Sequence, residues 1–313
     1  MKIKKLKDSL LLSEIKKVCD SVENSSDFYV YSSGTTGKPK RIMIDLKTAF
    51  LKKRLVNPDE CWLLTYSPQR WAGISVVLHV MKSGSTLCVP SSMATEDILE
   101  AAIFLSPDCV SFTPSMFRNL LRHDIEGILK KTSFKQVTFG GEAASQSVLD
   151  LAASCWPHSR ITHVYASTEI GDICSVSDGL AGVPLNKFKA YEFTEEGELI
   201  VNGIWTGDIW TREGERYMFV GRRQEIINVG GNKVSPMSVE EAAIRVGADT
   251  ARAFAVPSPL MGNLVGLEYV GGPVEIIMQE QLRTRLTKYA CPASICQVQE
   301  IQLSVAGKTN RFL

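Results

Sequence analysis

QVTFGGEAASQSVLDLAASCWPHSRITHVYASTE, residues 136–169, is the stretch from which the fold is read. Gln136-VTFGG reads as a strand stopped by two glycines, Gln146-SVLDLAAS as a helix, and Arg160-ITHVYA as a second strand. That order predicts parallel strands of one sheet joined by a crossover helix. The alternation extends outward from about residue 28 to residue 220. Strands read at Asp27-FYVYS, Cys61-WLLTY, Thr86-LCVP and Cys109-VSFT, with a helix at Thr95-EDILEAAIFL. The expected class is α/β: a large layered domain with mixed or mostly parallel sheets and flanking helices.

Beyond residue 220 the texture changes. Arg216-YMFVGRRQEIINVGGNKV reads as a two-stranded hairpin with a glycine-containing turn, and Ser235-Pro-Met-Ser starts a helix over Val239-EEAAIRV. Strands follow near Ala251-RAFAVP and Leu264-VGLEYV, then a helix from about Glu275 to Tyr289 and a last strand at Ile295-CQVQEIQL. This reads as a small α+β domain. A chain of 313 residues suits two domains, here 1–221 and 222–313, with the boundary near Gly221 to Gln224. At the other end, Ile3, Leu6 and Leu10 suit one face of a short surface helix. The apolar run there, Leu10 to Leu12, is too short for a secretory signal or a membrane span. Six lysines in the first 17 residues read as its solvated face.

Lys+Arg total 35 against 34 Asp+Glu, a net charge of +1. No broad basic surface for nucleic acid follows, so any phosphate site must be built locally. The eight cysteines form no Cys-x-x-Cys, and no histidine lies at metal-ligand spacing from them. They read as reduced core residues of a cytoplasmic protein.

Such a local site is offered by Tyr31-Ser-Ser-Gly-Thr-Thr-Gly-Lys-Pro-Lys40. A strand ends and delivers Ser32, Ser33, Gly34, Thr35, Thr36, Gly37 and Lys38 in succession. Small residues let backbone N–H groups approach an anion, hydroxyls add donors, and lysine adds charge. Pro39 after Lys38, and the glycine spacing, exclude a Walker A loop. A polar turn is the plainer reading, but a turn seldom needs such a run.

The loop resembles the phosphate loop of the adenylate-forming (AMP-binding) superfamily, which includes acyl- and aryl-CoA synthetases, luciferases and peptide-synthetase adenylation domains. Further segments are similar to the family's motifs and come in its order. They are Phe139-Gly-Gly-Glu-Ala143, Tyr165-Ala-Ser-Thr-Glu169, Gly197-Glu-Leu-Ile-Val-Asn-Gly203, Trp205-Thr-Gly-Asp208, Gly221-Arg222 and Ala306-Gly-Lys-Thr-Asn-Arg311. The resemblance spans residues 28–313, and the small size and the Gly230-Gly231 loop resemble o-succinylbenzoate-CoA-ligase-like and other short acyl- or aryl-CoA synthetases.

The resemblance implies ATP-dependent activation of a carboxylic acid to an acyl-adenylate, with pyrophosphate leaving, then transfer to a thiol. Coenzyme A is the first choice of thiol, and a carrier-protein phosphopantetheine the second. The 32–38 loop would hold the phosphates, and Gly140, Gly141 and Glu142 would form the adenine segment with Tyr165 stacked on the base. Thr168 would touch the α-phosphate, Glu169 would hold Mg²⁺, and Asp208 would accept from the ribose hydroxyls with Arg222 nearby. Lys308 would reach the site when a mobile small domain closes. Trp71, Gly73 and Gly140 would line the acid's pocket, and Gly230 and Gly231 would stand beside the thiol tunnel. The segments 111–115 and 139–143 complete a mixed apolar pocket, suited to a small or aromatic acid. No nucleic-acid or membrane partner is implied.

Three departures stand out. Gln224 occupies the family's acidic hinge position. Trp71 replaces a histidine in Ser67-Pro-Gln-Arg-Trp-Ala-Gly73, reshaping the acyl pocket; Arg70 beside it reads as a surface residue in preference to a partner for a second carboxylate on the substrate. The phosphate loop starts near residue 31, whereas relatives carry a substantial subdomain before it. A shortened N-terminal part would leave a face for a homodimer or a partner to cover. It would also suit a degenerate, non-catalytic binding module, against which Thr168, Glu169, Asp208, Arg222 and Lys308 all argue.

Overall fold

The strand–helix–strand reading of residues 136–167 holds in the computed structural model. The structure describes residues 1–32, 40–53, 55, 57–167, 170–188, 191–304, 307–309 and 311, with backbone alone at 31, 32 and 40. Backbone contacts group the chain into two units. The first holds Met1–Ala144 and Val148–Leu180, together with Gly307 and Lys308; the second holds the remainder.

The first unit runs β1 (Lys2–Lys5), α1 (Leu11–Asn24), β2 (Phe28–Ser32), β3 (Lys40–Ile44), α2 (Leu46–Lys52), β4 (Cys61–Leu63), α3 (Trp71–Ser83) and β5 (Thr86–Val89). It continues with α4 (Thr95–Phe104), β6 (Cys109–Phe112), α5 (Pro114–His123), β7 (Gln136–Phe139), α6 (Gln146–Cys155), β8 (Arg160–Ser167) and β9 (Gly171–Val176). Among the described residues, seven strands form a sheet in the order β1-β5-β4-β6-β7-β8-β9. Every neighbouring pair is parallel except β8–β9. β2 and β3 form a separate antiparallel hairpin, with Ser32 opposite Lys40.

Local chemistry sets the element ends. The Asp45 carboxylate accepts the Thr48 N–H at 2.9 Å to start α2. Thr113 caps α5 through the Met116 N–H at 3.0 Å, with Pro114 in the first turn. Gly84, at φ +70°, closes α3 in the left-handed conformation that a β-carbon disfavours. One core joins Ile15, Val18 and Val22 of α1 to Ile74, Val77 and Leu78 of α3 and to the sheet residue Leu87. A second knot of rings comprises Phe112, Phe117, Phe139 and Trp156.

β1 corrects the sequence reading. Lys2–Lys5 is not a helix: it pairs in parallel with β5, Ile3 opposite Leu87, although all four side chains are exposed. Main-chain pairing to a strand eighty residues away decides its state, and the side-chain pattern does not carry that signal. Its lysines, with their neighbours, guard the sheet edge. Lys4 donates to the Leu105 carbonyl at 2.6 Å, and Lys7 pairs with Glu100 at 3.1 Å.

The second unit runs β10 (Val183–Pro184), β11 (Glu192–Phe193), β12 (Glu198–Val201), β13 (Ile204–Glu213), β14 (Arg216–Arg222), β15 (Ile227–Val229) and β16 (Asn232–Val234). It ends with α7 (Pro236–Val246), β17 (Thr250–Ser258), β18 (Gly262–Val270), α8 (Glu275–Arg283) and β19 (Ser294–Gln297). β10-β14-β13-β12-β11 form an antiparallel sheet, and β16-β15-β18-β17 another, with β19 parallel to β18. The first sheet packs Phe188, Phe193, Trp210 and Tyr217 together. The second buries Val239, Ala243, Leu267, Tyr269 and Leu282.

Two expectations shift here. The hairpin read over residues 216–234 is β15–β16 alone, since β14 belongs with β13 in the other sheet. The helix expected to reach Tyr289 ends at Arg283. There the Thr284 hydroxyl and the Arg285 guanidinium both donate to the Gln281 carbonyl, at 2.8 and 3.1 Å, competing with the helical ladder. The turn Arg223–Glu225 links β14 to β15, so Gln224 lies where one sheet passes to the next.

All eight cysteines carry free thiols, but only Cys88 and Cys109 are the core residues that the sequence reading expected of all eight. Burial pushes the Cys88 thiol up to about 12 and raises that of Cys109, whereas Cys296 is exposed. Iodoacetamide at pH 8 is therefore expected to label Cys296 in the native protein and to spare Cys88 and Cys109 until denaturant is added, read by peptide mass spectrometry. Among the described residues no helix is long and apolar enough to cross a membrane.

Candidate functional site

In the first unit, the sheet's strand ends bring several candidates together. β6 ends at Phe112 and β7 at Phe139, and the Gly140 N–H donates to the Phe112 carbonyl at 3.0 Å. That bond sets Thr113 beside the Gly140-Gly141-Glu142 segment. The Glu142 carboxylate accepts the Ser115 N–H at 3.0 Å, near the start of α5, where the helix dipole favours negative charge. The Thr113 hydroxyl accepts from Met116 and donates to the Gly307 carbonyl, tying the C-terminal segment to the same place.

Lys308 follows directly. A β-carbon built on Gly141 would stand 3.3 Å from Lys308 Cε, 3.9 Å from its Nζ and 3.5 Å from Thr113 Cγ2. Gly141 also sits at φ +82°. A glycine here therefore serves twice, once for the backbone and once for the lysine's approach. Sequence reasoning named Lys308 and Gly141 separately; their contact is a structural result.

Trp71 opens α3, and its ring lies 4.0 Å from where a Gly171 β-carbon would be. Arg70, expected at the surface, is half-buried. Gly73 is buried, and a methyl there would collide with the Ser67 and Tyr66 carbonyls. Close packing of α3 on that turn is a sufficient reason for this glycine. Gly73→Ala is expected to lower stability by about 1–3 kcal/mol through overpacking, seen as a drop of several degrees in the calorimetric melting temperature. An unchanged melting temperature would mean Gly73 meets open space instead. The phenol of Tyr66 is held in its neutral form, first by burial and then by the Glu142 carboxylate. Tyr165 lies in β8 opposite Cys174 of β9.

In the second unit, Asp208 of β13 and Arg222 of β14 are cross-strand partners, and their side chains pair at 3.2 Å. The Asp208 carboxylate is 6% exposed, so its counter-ion carries weight. Arg223 pairs with the buried Glu198 at 3.0 Å, a contact absent from the sequence reading. Gly230 and Gly231 form the β15–β16 turn at φ +55° and +88°, the values a tight hairpin requires. The Asn228 side chain accepts the Gly231 N–H at 3.0 Å. A cleft of about 270 Å³ beside this turn is lined by Gly231, Lys233, Arg223, Glu198 and Glu196. Arg311 grips Glu240 with two nitrogens, at 2.6 and 2.8 Å, and Glu225 with a third at 3.0 Å.

Ser33, Gly34, Thr35, Thr36, Gly37, Lys38, Thr168 and Glu169 lie outside the described residues. Ser32 is described by its backbone, at the end of β2. The structure thus gathers Gly140, Gly141, Glu142 and Lys308 in one unit, and pairs Asp208 with Arg222 in the other.

The chain is similar to known acid–thiol ligases. The chain is 25% identical over 354 residues to a 3-hydroxybenzoate/4-hydroxybenzoate–CoA ligase of Thauera aromatica, covering 94% of this chain and 67% of that one. It is 26% identical over 310 residues to a 3,4-dihydroxybenzoate–[aryl-carrier protein] ligase of Bacillus anthracis, covering 90% and 72%. It thus spans about two thirds of the length of the curated ligases it matches. The fold is shared with o-succinylbenzoate CoA synthetase of Bacillus subtilis, solved with its acyl-adenylate, at a TM-score of 0.67 and 19% identity over 90% of this chain and 67% of that one. The AMP-binding enzyme profile matches residues 5–212, well over half of the sequence, and the chain belongs to the AMP-binding enzyme family.

Proposed function

We propose that this chain joins a carboxylic acid to AMP and then passes the acyl group to a thiol, with coenzyme A as the acceptor. A carboxylate is a poor electrophile because oxide would have to leave. Attack of a carboxylate oxygen on the α-phosphorus of ATP breaks the bond to the β-phosphate, releases pyrophosphate and leaves an acyl-adenylate whose leaving group is AMP. The thiol sulfur then attacks the acyl carbon, AMP departs with the oxygen the acid supplied, and the thiol proton goes to solvent.

The observation that carries this reading is Lys308 lying against Gly141, with Gly307 held by Thr113. Negative charge accumulates around the α-phosphorus in the first step, and a fixed ammonium there stabilises it. The residues present suit ATP: Gly141, where a side chain would intrude on Lys308, the half-buried Lys308 cation itself, and the buried Asp208 carboxylate paired with Arg222 for the ribose. Mg²⁺ would neutralise the phosphates and would be held by Glu169, with Thr168 beside it and the 32–38 loop around the phosphates. Tyr165 would stack on adenine, Trp71 and Gly140 would bound the acid's pocket, and Gly230–Gly231 would flank the thiol's path. The segment after Arg222 would pivot near Gln224, exchanging Lys308 for the thiol. Such chemistry fits a cytoplasmic enzyme, where coenzyme A and ATP are abundant.

A second acceptor, a carrier-protein phosphopantetheine, is supported by the similarity to an aryl-carrier-protein ligase. Pyrophosphate release with a panel of small aromatic acids tests the first step; adding coenzyme A or a phosphopantetheinylated carrier protein tests the second. Thioester with coenzyme A supports the reading, and thioester with the carrier protein alone moves the acceptor. No pyrophosphate with any acid favours a non-catalytic binding module.

A further inference from the structure

Trp71, Ser75 and His79 stand at four-residue steps on α3 and so share one face of the helix. Into that face comes Lys53, the residue just after α2. Its Nζ donates to Ser75 Oγ at 2.5 Å and to Asp172 Oδ2 of β9 at 2.9 Å, and it lies 5.5 Å from the Trp71 ring centroid. The Lys53 side chain is 8% exposed while Asp172 is 53% exposed. The pair thus has a buried cation and a carboxylate open to a ligand. An ammonium has three donors, and Ser75 and Asp172 use two of them.

Two polar atoms of this helix face, and one on the turn before it, are without partners. Trp71 Nε1, His79 Nε2 and the Tyr66 hydroxyl are buried, and none meets a hydrogen-bond partner among the described residues. Buried polar groups are rarely left so, and a functional role is one of the reasons that such groups persist. Trp62 packs edge-on against His79 at 4.9 Å.

We propose that Lys53 and Asp172 form a polar wall of the acid's pocket, selecting a carboxylic acid that carries a hydroxyl group away from its reacting carboxylate. The inference rests on the acid-activating reading through Trp71, and it names the substrate class which that reading leaves open. Charge decides between polar substituents. Lys53 and Asp172 cancel, and burial first, then Lys53, depresses the His79 imidazole to about 4, so it stays neutral near pH 7. A second carboxylate would meet the Asp172 charge at this neutral pair, and Arg70, the cation next to Trp71 in the chain, is already engaged. A hydroxyl fits both partners, donating to Asp172 and accepting from Lys53. An unsubstituted ring would leave the third Lys53 donor without an acceptor, and sites built to bond a hydroxyl reject its absence strongly.

The test is calorimetric binding of benzoate, 3-hydroxybenzoate, 4-hydroxybenzoate and terephthalate to the whole chain, wild type and Lys53→Met. The wild type is expected to bind a hydroxybenzoate at least about tenfold more tightly than benzoate or terephthalate. Lys53→Met, similar in length but apolar, is expected to erase that preference, so that hydroxybenzoate and benzoate bind within about twofold of each other. If Lys53→Met does not melt cooperatively, Asp172→Asn carries the same expectation from the exposed end of the pair. Equal affinities in the wild type, a uniform loss in the variants, or no binding of any acid would overturn the proposal. Parallel pyrophosphate release separates the two readings. A hydroxyl preference in binding without pyrophosphate sinks acid activation alone, whereas pyrophosphate with all acids and no effect of Lys53→Met sinks this inference alone.

Discussion

Replacing Lys308 with alanine is expected to slow pyrophosphate release from acid and ATP by about 100- to 1,000-fold, the usual loss for one preorganised donor at a developing charge. The size follows from placement. Gly307 is anchored by the Thr113 hydroxyl, and the Lys308 side chain lies along Gly141, so the ammonium pays little ordering entropy when it acts. Thioester formation from supplied acyl-adenylate is expected to change by less than about threefold, because that step develops its charge on the leaving AMP after the lysine has moved. Rapid-quench measurement of the two half-reactions checks both. Equal losses in both would make Lys308 a general anchor of the fold, and no loss in the first would remove it from the mechanism.

Phe117→Ala is expected to destabilise the first unit by about 3–5 kcal/mol, the range for a large ring removed from a closed core. Phe117 is wholly buried on α5 and touches Phe112, Phe139 and Trp156, at centroid distances of 5.8, 5.4 and 5.5 Å. Those partners are the last residue of β6, the last residue of β7 and the residue just after α6. The knot therefore fixes the strand ends from which Thr113 and Gly140 extend, and its loss is expected to weaken acid activation together with stability. Urea unfolding followed by tryptophan fluorescence gives the free energy. A loss below about 1 kcal/mol would mean the rings are not the core that holds this end of the sheet.

How much of this was legible in the chain depends on range. The β7–α6–β8 segment was readable because strand, glycine stop and helix are all encoded within thirty residues. α7 was readable because Ser235 and Pro236 mark its start locally. β1 was not, since four exposed residues become a strand through pairing with β5, a contact of high sequence separation. The division of residues 216–234 between two sheets was hidden for the same reason: β14 is claimed by β13. The candidate site followed the same rule. Ordered motifs gave Gly141, Asp208, Arg222 and Lys308 one by one, but the Lys308–Gly141 contact and the Asp208–Arg222 pairing belong to the folded chain. Lys53 carried no signal at all. It follows Lys52, an exposed lysine, and only the register of α2 against α3 turns the second one inward.

The central claim, that the acid's own oxygen becomes bonded to the α-phosphorus, is tested most directly with an acid labelled with ¹⁸O in its carboxylate, turned over with ATP, Mg²⁺ and coenzyme A. Mass spectrometry of the products is expected to find one ¹⁸O atom in AMP and none in pyrophosphate. Unlabelled AMP, or ADP accompanied by labelled phosphate, would contradict acyl-adenylate formation by this chain.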